Sequence, residues 1–202
     1  MAIPNNPKNN LKSFEGQIPI ALEIKENYIT KEIIEVGAVC LDYNLNPVRT
    51  PLILKLSKVY VKDEHMLEYM KGELKKVSIN QFKRVFEIWI KTQVIAYGGK
   101  ALVITYDWPY KKERLKKILG SEFIDNNFVE CGRDIKVILD FLKDQEDFFG
   151  YSDKRKDFTY KGMCRKLKLI PPFGERYAVH NALMAVELYK KLFNYVYARE
   201  IV

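Results

Sequence analysis

QIPIALEI (residues 17–24) and EIIEVGAVCL (32–41) decide how this sequence folds. Both are rich in Ile and Val with partial alternation, the pattern of β-strands. NLNP (44–47) punctuates the chain as a turn, and TPLILKL (50–56) supplies a third strand. Three strands joined by short turns predict an antiparallel meander at the start of a mixed sheet.

Working outward, residues 1–16 are polar and read as a loose leader before a domain of residues 17–202. DEHMLEYM (63–70) reads as a short helix. Ser78 and Gln81 match a capping box, and Ile79, Phe82, Val85, Phe86, Trp89 and Ile90 follow at helical spacing on one core-facing side. GGKALVITY (98–106) has the look of a buried strand. It runs through Asp107 and Trp108 to Pro109, a residue favoured at helix starts, and then to YKKERLKKIL (110–119). NFVEC (127–131) reads as a short strand, followed by a helix from about Arg133 to Lys143. Residues 146–158 read as loop, Tyr160–Leu169 as helix, PPFG (171–174) as a break, and 179–197 as a last amphipathic helix. With no internal repeat or dividing linker, the order predicts one α/β domain, a mixed central sheet flanked by helices.

Composition narrows the function classes. At 48% hydrophobic and 30% charged residues, a chain of 202 can bury a core, which excludes intrinsic disorder. No apolar run approaches the roughly 20 residues of a membrane-spanning helix, so no membrane role is expected. The leader MAIPNNPKNNLK lacks the apolar centre of a signal peptide, so a cytoplasmic protein is expected. Lys plus Arg is 34 against 26 for Asp plus Glu, a net charge of +8 that permits a polyanionic partner. Cys40, Cys131 and Cys164 form neither a CxxC pair nor a zinc-ligand spacing and read as reduced thiols.

Three segments carry a resemblance. IPIALEIKENYITKEIIEVGAV (18–39) resembles the first motif of the DEDDh 3′–5′ exonucleases, Asp-x-Glu followed by Ile-Ile-Glu-Ile-Gly-Ala-Val. ALVITYDWPYKKERLKKIL (101–119) resembles their second motif, closest to the form in the KapD and histone-mRNA exonuclease branch. YAVHNALMAVELYKKL (177–192) resembles the third, in which a His precedes an Asp by five residues. The resemblance covers residues 17–197 and implies a ribonuclease-H-like exonuclease fold. In that family four carboxylates hold two divalent ions, Mg²⁺ or Mn²⁺, and the His acts as general base.

Carried over by position, the family's first Asp falls on Ala21, its partner on Glu23, the second-motif Asp on Tyr110, the His on His180 and the last Asp on Ala185. Glu23 and His180 are thus the remaining catalytic positions, and Glu23 with Asp107 the remaining metal-ligand candidates. Hard cations need several oxygen ligands, and alanine offers none. As written, the chain is expected to use no metal and to hydrolyse poorly or not at all. The resemblance then implies a nucleic-acid-binding or regulatory pseudo-exonuclease. Two alternatives stand beside it: an exonuclease carrying inactivating Asp-to-Ala changes at 21 and 185, with Mg²⁺ or Mn²⁺ activity once restored, and a scaffold for a protein partner.

Each residue also has a plainer reading. Lys25, on the same strand face as Glu23, could pair with it, and an ammonium there would stand where the metal sits. His180 could pack or cap its helix, Asp134 reads as a helix cap, His65 as surface, and KKERLKK (111–117) as a solvated face. For binding, YSDKRKDFTYKGMCRKLK (151–168) interleaves cations with rings. Lys154, Arg155, Lys156, Lys161 and Arg165 would neutralise phosphates of single-stranded RNA or DNA while Tyr160 stacks on a base.

Overall fold

A computed structural model describes residues 16–27, 29–49, 51–56, 76–148, 158–169 and 177–199. Strands β1 (Gln17–Glu26), β2 (Ile33–Cys40) and β3 (Leu52–Leu56) form the antiparallel meander that the apolar runs predict. β4 (Lys76–Val77), β5 (Lys100–Thr105) and β6 (Arg133–Asp134) complete a six-stranded sheet in the order β4-β3-β2-β1-β5-β6. β5 runs parallel to β1, and β6 parallel to β5, so the sheet is mixed. Every residue of β2 is buried, because helices cover both faces of the sheet.

On one face lie α1 (Ile79–Tyr97), α2 (Trp108–Leu119) and α3 (Ser121–Asn127). They pack Phe82, Phe86, Ile90, Trp108 and Leu115 on Ile20, Leu22, Val36 and Val103. On the other face lie α4 (Ile135–Phe148), α5 (Tyr160–Lys166) and α6 (Ala178–Arg199), packed on Ala21, Val39, Leu102 and Ile104. The period-2 alternation along β1 therefore sends Leu22 to one core and Ala21 with Glu23 to the other.

Several sequence expectations need correction. The α1 stripe is narrower than its spacing suggests: Phe82, Phe86 and Ile90 are buried, whereas Ile79 and Val85 are exposed. NFVEC is not a strand. Asn127 ends α3, which the sequence reading missed, and only Phe128 makes an isolated bridge to Ala101. The strand next to β5 is two residues long and comes later, because Asp134 is needed at that edge. Its carboxylate accepts from the backbone N–H of Asp107 (2.8 Å), Trp108 (2.9 Å) and Lys136 (2.9 Å), so one side chain caps α2 and α4 together. KKERLKK is a solvated face only in part: Glu113 and Lys117 are exposed, but Lys111 and Lys112 are buried. Lys112 meets Glu130 at 2.7 Å, and Lys116 meets Asp125 at 3.5 Å. The segments holding DEHMLEYM with His65, and PPFG, lie outside the described residues.

The start of α6 sits directly on β2. A Cβ at position 37 would collide with the backbone of Ala178 and Val179, so only glycine allows this approach. Beside it Glu35, fully buried in β2, accepts from the Ala178 N–H at 2.5 Å and satisfies a donor at the helix start. The IIEVGAV stretch is thus a seat for α6 as well as a strand. Gly37→Ala is expected to cost about 3 kcal/mol, because backbone cannot yield as a side-chain tip can. Urea unfolding checks this, and a loss below about 0.5 kcal/mol would contradict the seat.

Candidate functional site

The anticipated site lies where β5 ends beside Glu23 of β1, next to the start of α6. Glu23 stands two residues beyond Ala21 on β1, opposite Gly37 on β2. Ala21 pairs with Ile104 on β5, so Thr105, the last residue of β5, and Tyr106 after it come alongside Glu23. The chain then turns through Asp107, at φ 61°, into α2.

Lys111, in the first turn of α2, returns its side chain to this point. Its Nζ lies 2.7 Å from Glu23 Oε1 and donates to Thr105 Oγ1 at 2.9 Å and to the Tyr106 carbonyl at 2.5 Å. An ammonium has three N–H donors, and all three are used. The Lys111 side chain is 8% exposed and that of Glu23 13%, so the pair is largely withdrawn from water. The Ile24 N–H donates to the same Glu23 oxygen at 3.0 Å. The ammonium expected beside Glu23 is therefore that of Lys111, from across the sheet edge. Lys25 instead pairs in register with Glu35.

A second buried charge group adjoins the first. Lys25 on β1, Glu35 on β2 and Lys55 on β3 are cross-strand neighbours, and Lys55 is 1% exposed. Burial pushes the Glu35 carboxyl above its ordinary range, and the Ala178 N–H, Lys25 and Lys55 pull it back without cancelling that rise. Glu35 Oε2 is buried without a hydrogen-bond partner, which agrees with a carboxyl reluctant to ionise.

The other anticipated site residues scatter. Ala21 and Ala185 are fully buried in one apolar cluster with Val39, Ile104, Ala182 and Leu188. Tyr110 points along α2 to another partnership: its hydroxyl donates to Glu26 Oε2 at 2.6 Å and accepts from Arg114 at 3.0 Å. Arg114 also meets Glu26 at 3.0 Å. Asp107 faces Lys136 at 3.4 Å, and its charge raises the Lys136 pKa. His180 is half-buried in the first turn of α6, its ring set edge-on to Tyr177 at 5.4 Å. In α5, Lys161 and Arg165 are exposed. Tyr160 is not an open stacking platform, because its ring packs on Tyr106 at 5.3 Å and its hydroxyl donates to the Asn181 carbonyl at 3.4 Å. Lys154, Arg155 and Lys156 lie outside the described residues.

These groups do not fit a pair of divalent ions. Ala21 and Ala185 offer methyl groups from within an apolar core, Glu23 is held by an ammonium, and Asp107 faces a second one. Among the described residues, no three His, Cys, Asp or Glu side chains cluster as metal ligands. A groove of about 640 Å³, lined in part by Lys31, Ile79, Arg114 and Lys117, opens by the start of α1 and involves neither Glu23 nor His180.

Sequence reasoning missed Lys111, Thr105 and Glu35. Lys111 had a usable signal. Side chains in the first turn of a helix lean back toward its N-terminus, so a lysine one turn past a strand end can reach that end.

Two expectations follow from these charges. Lys111→Met should cost about 3–5 kcal/mol by leaving Glu23 buried and unpaired, and adding Glu23→Gln should restore part of it. A double-mutant cycle in urea measures this coupling. Because the Glu35 pKa is raised from 4.5 on folding, its stabilising contribution is complete below about pH 4.5 and is lost as pH rises through the folded value. The stability of Glu35→Gln relative to the parent should therefore climb from pH 4.5 upward, read from denaturation midpoints across pH. A flat difference would contradict the burial of this carboxyl.

The chain matches no protein-family model and no curated protein sequence.

Proposed function

We propose that this chain is a nucleic-acid-binding protein on a ribonuclease-H-like, DEDDh-exonuclease-type scaffold, and that it does not hydrolyse its ligand. The sheet order, with an antiparallel β1–β2–β3 unit followed by parallel β5 and β6, supports that scaffold. The observation that carries the loss of hydrolysis is the burial of Ala21 and Ala185 in one apolar cluster. Phosphodiester cleavage by two metal ions needs carboxylates at those points to hold the ions and offset their charge.

The changes extend beyond the two alanines. Lys111 engages Glu23, and Tyr110 joins Glu26 and Arg114 in a separate network. A chain inactivated only at positions 21 and 185 would keep the other ligands disposed for metal. This favours a scaffold whose whole cleft has been rebuilt over an exonuclease disabled at two positions.

Binding would fall to the cationic surface. The net charge of +8, with Lys161 and Arg165 exposed on α5 beside the cleft, suits the phosphates of a single strand. Mg²⁺ or Mn²⁺ has no part in that binding.

A gel-shift assay with labelled single-stranded RNA and DNA, run with Mn²⁺ and with EDTA, tests the proposal. The expected result is a shifted, intact band under both conditions, weakened by raising salt from about 50 to about 200 mM. Lys161→Glu with Arg165→Glu should weaken it by about tenfold or more. Shortened products with Mn²⁺ would overturn the loss of hydrolysis. Free probe at the lower salt would overturn nucleic-acid binding and leave the protein-partner reading.

A further inference from the structure

We infer that the Lys111 ammonium is the permanent cation of the cleft, and that it excludes divalent metal independently of the missing aspartates. The inference rests on the exonuclease-type reading of the cleft and adds a second, separate barrier to it.

The donor set carries the argument. Lys111 is held by a carboxylate, a hydroxyl and a backbone carbonyl, from Glu23, Thr105 and Tyr106. Those are the oxygen types that hard divalent cations select. They converge where β5 ends beside β1, the strand at which the sheet changes from antiparallel to parallel pairing. Parallel strand ends at such a change are where α/β sheets tend to place ligands. A cation arriving from solvent meets these oxygens already engaged.

Burial makes the engagement costly to undo. With Lys111 7% exposed, its charge is tolerable only while its three acceptors remain. A metal ion taking Glu23 would leave that ammonium without its counter-charge in a poorly solvated place. It would also bring two positive charges close to a third. The charges of Glu23 and Lys111 already cancel, so the pair presents no net negative field to draw a dication in. Carboxylates restored at 21 and 185 would first meet the ammonium, and their pull on a metal would be reduced by its charge.

The alternative is that Lys111 is a mobile tether that swings aside for a metal. The three short contacts and the fixed position of Lys111 on a capped helix argue against it. Asp134 holds the start of α2 through two backbone N–H groups, which fixes the root of the lysine side chain.

The test compares Mn²⁺ binding, read from the electron paramagnetic resonance of free Mn²⁺, in three proteins. These are the parent, Ala21→Asp/Ala185→Asp, and the same double variant with Lys111→Ala, with circular dichroism confirming the fold of each. The parent should bind no Mn²⁺, and the triple variant should bind at least about tenfold more tightly than the double. Equal affinity in the double and triple variants would overturn the inference, as would Mn²⁺ uptake by the parent. Should a variant not fold, lysine acetylation of the parent, mapped by mass spectrometry, decides the matter. Lys111 should stay protected whether or not Mn²⁺ is present, and a rise in its labelling with Mn²⁺ would overturn the inference. The nuclease assay reports on hydrolysis separately, so failure of that reading and failure of this one are told apart.

Discussion

The seating of α6 on β2 is the constraint from which the cleft follows. Gly37 lets the helix backbone touch the strand, and the Glu35 carboxylate answers the Ala178 N–H left open at the helix start. This contact sets the height of α6 over the sheet and so brings Ala185 into the same core as Ala21. It also lays the first turn of α6, with His180, over the neighbouring strands that carry Glu23 and Glu35. A looser seat would open this edge to water and relax every charge placed there.

Several ionisable groups lie around that helix start, of which Glu35, Lys55 and Lys111 are buried. Glu23 is balanced by Lys111, and Glu35 lies between Lys25 and Lys55 across three strands. In the first set the Glu23 carboxylate and the Lys111 ammonium cancel; in the second, one carboxyl that burial keeps reluctant to ionise stands between two lysines. Buried ion pairs add little to stability compared with an apolar core, yet breaking one is costly. Asp134 extends the same economy at the sheet edge, where one carboxylate caps two helices.

Much of the fold was legible in the sequence. The three strands of the meander, the capping box of α1, the strand 100–105 and the helix opened by Trp108 and Pro109 all lie where Ile/Val runs and local capping chemistry put them. The edge of the sheet was not legible. Phe128 belongs to a β-prone run but is drawn into the core beside Trp108, while the actual strand is two residues anchored by Asp134. The α1 stripe misled because a helix packed on a sheet buries a narrower arc than its apolar residues span. At the site, the motif residues were visible but their partners were not. Composition does not separate Lys111, buried on Glu23, from the half-buried Lys116; only its place in the first turn of α2, one turn past the end of β5, does. Likewise the Glu and Gly of IIEVGAV read as strand residues, and their role emerges only with α6 in place.

The central claim is that a lysine ammonium, fully bonded to protein oxygens, occupies this cleft. Nitrogen-15 NMR of the lysine ammonium groups tests it most directly, because ammonium protons in fast contact with water give no resolved signal. The account predicts a slowly exchanging Lys111 resonance at neutral pH, lost in Lys111→Arg, shifted in Glu23→Gln, and unbroadened by Mn²⁺. A Lys111 ammonium that exchanges freely with water, or one broadened by Mn²⁺ at the cleft, would contradict it.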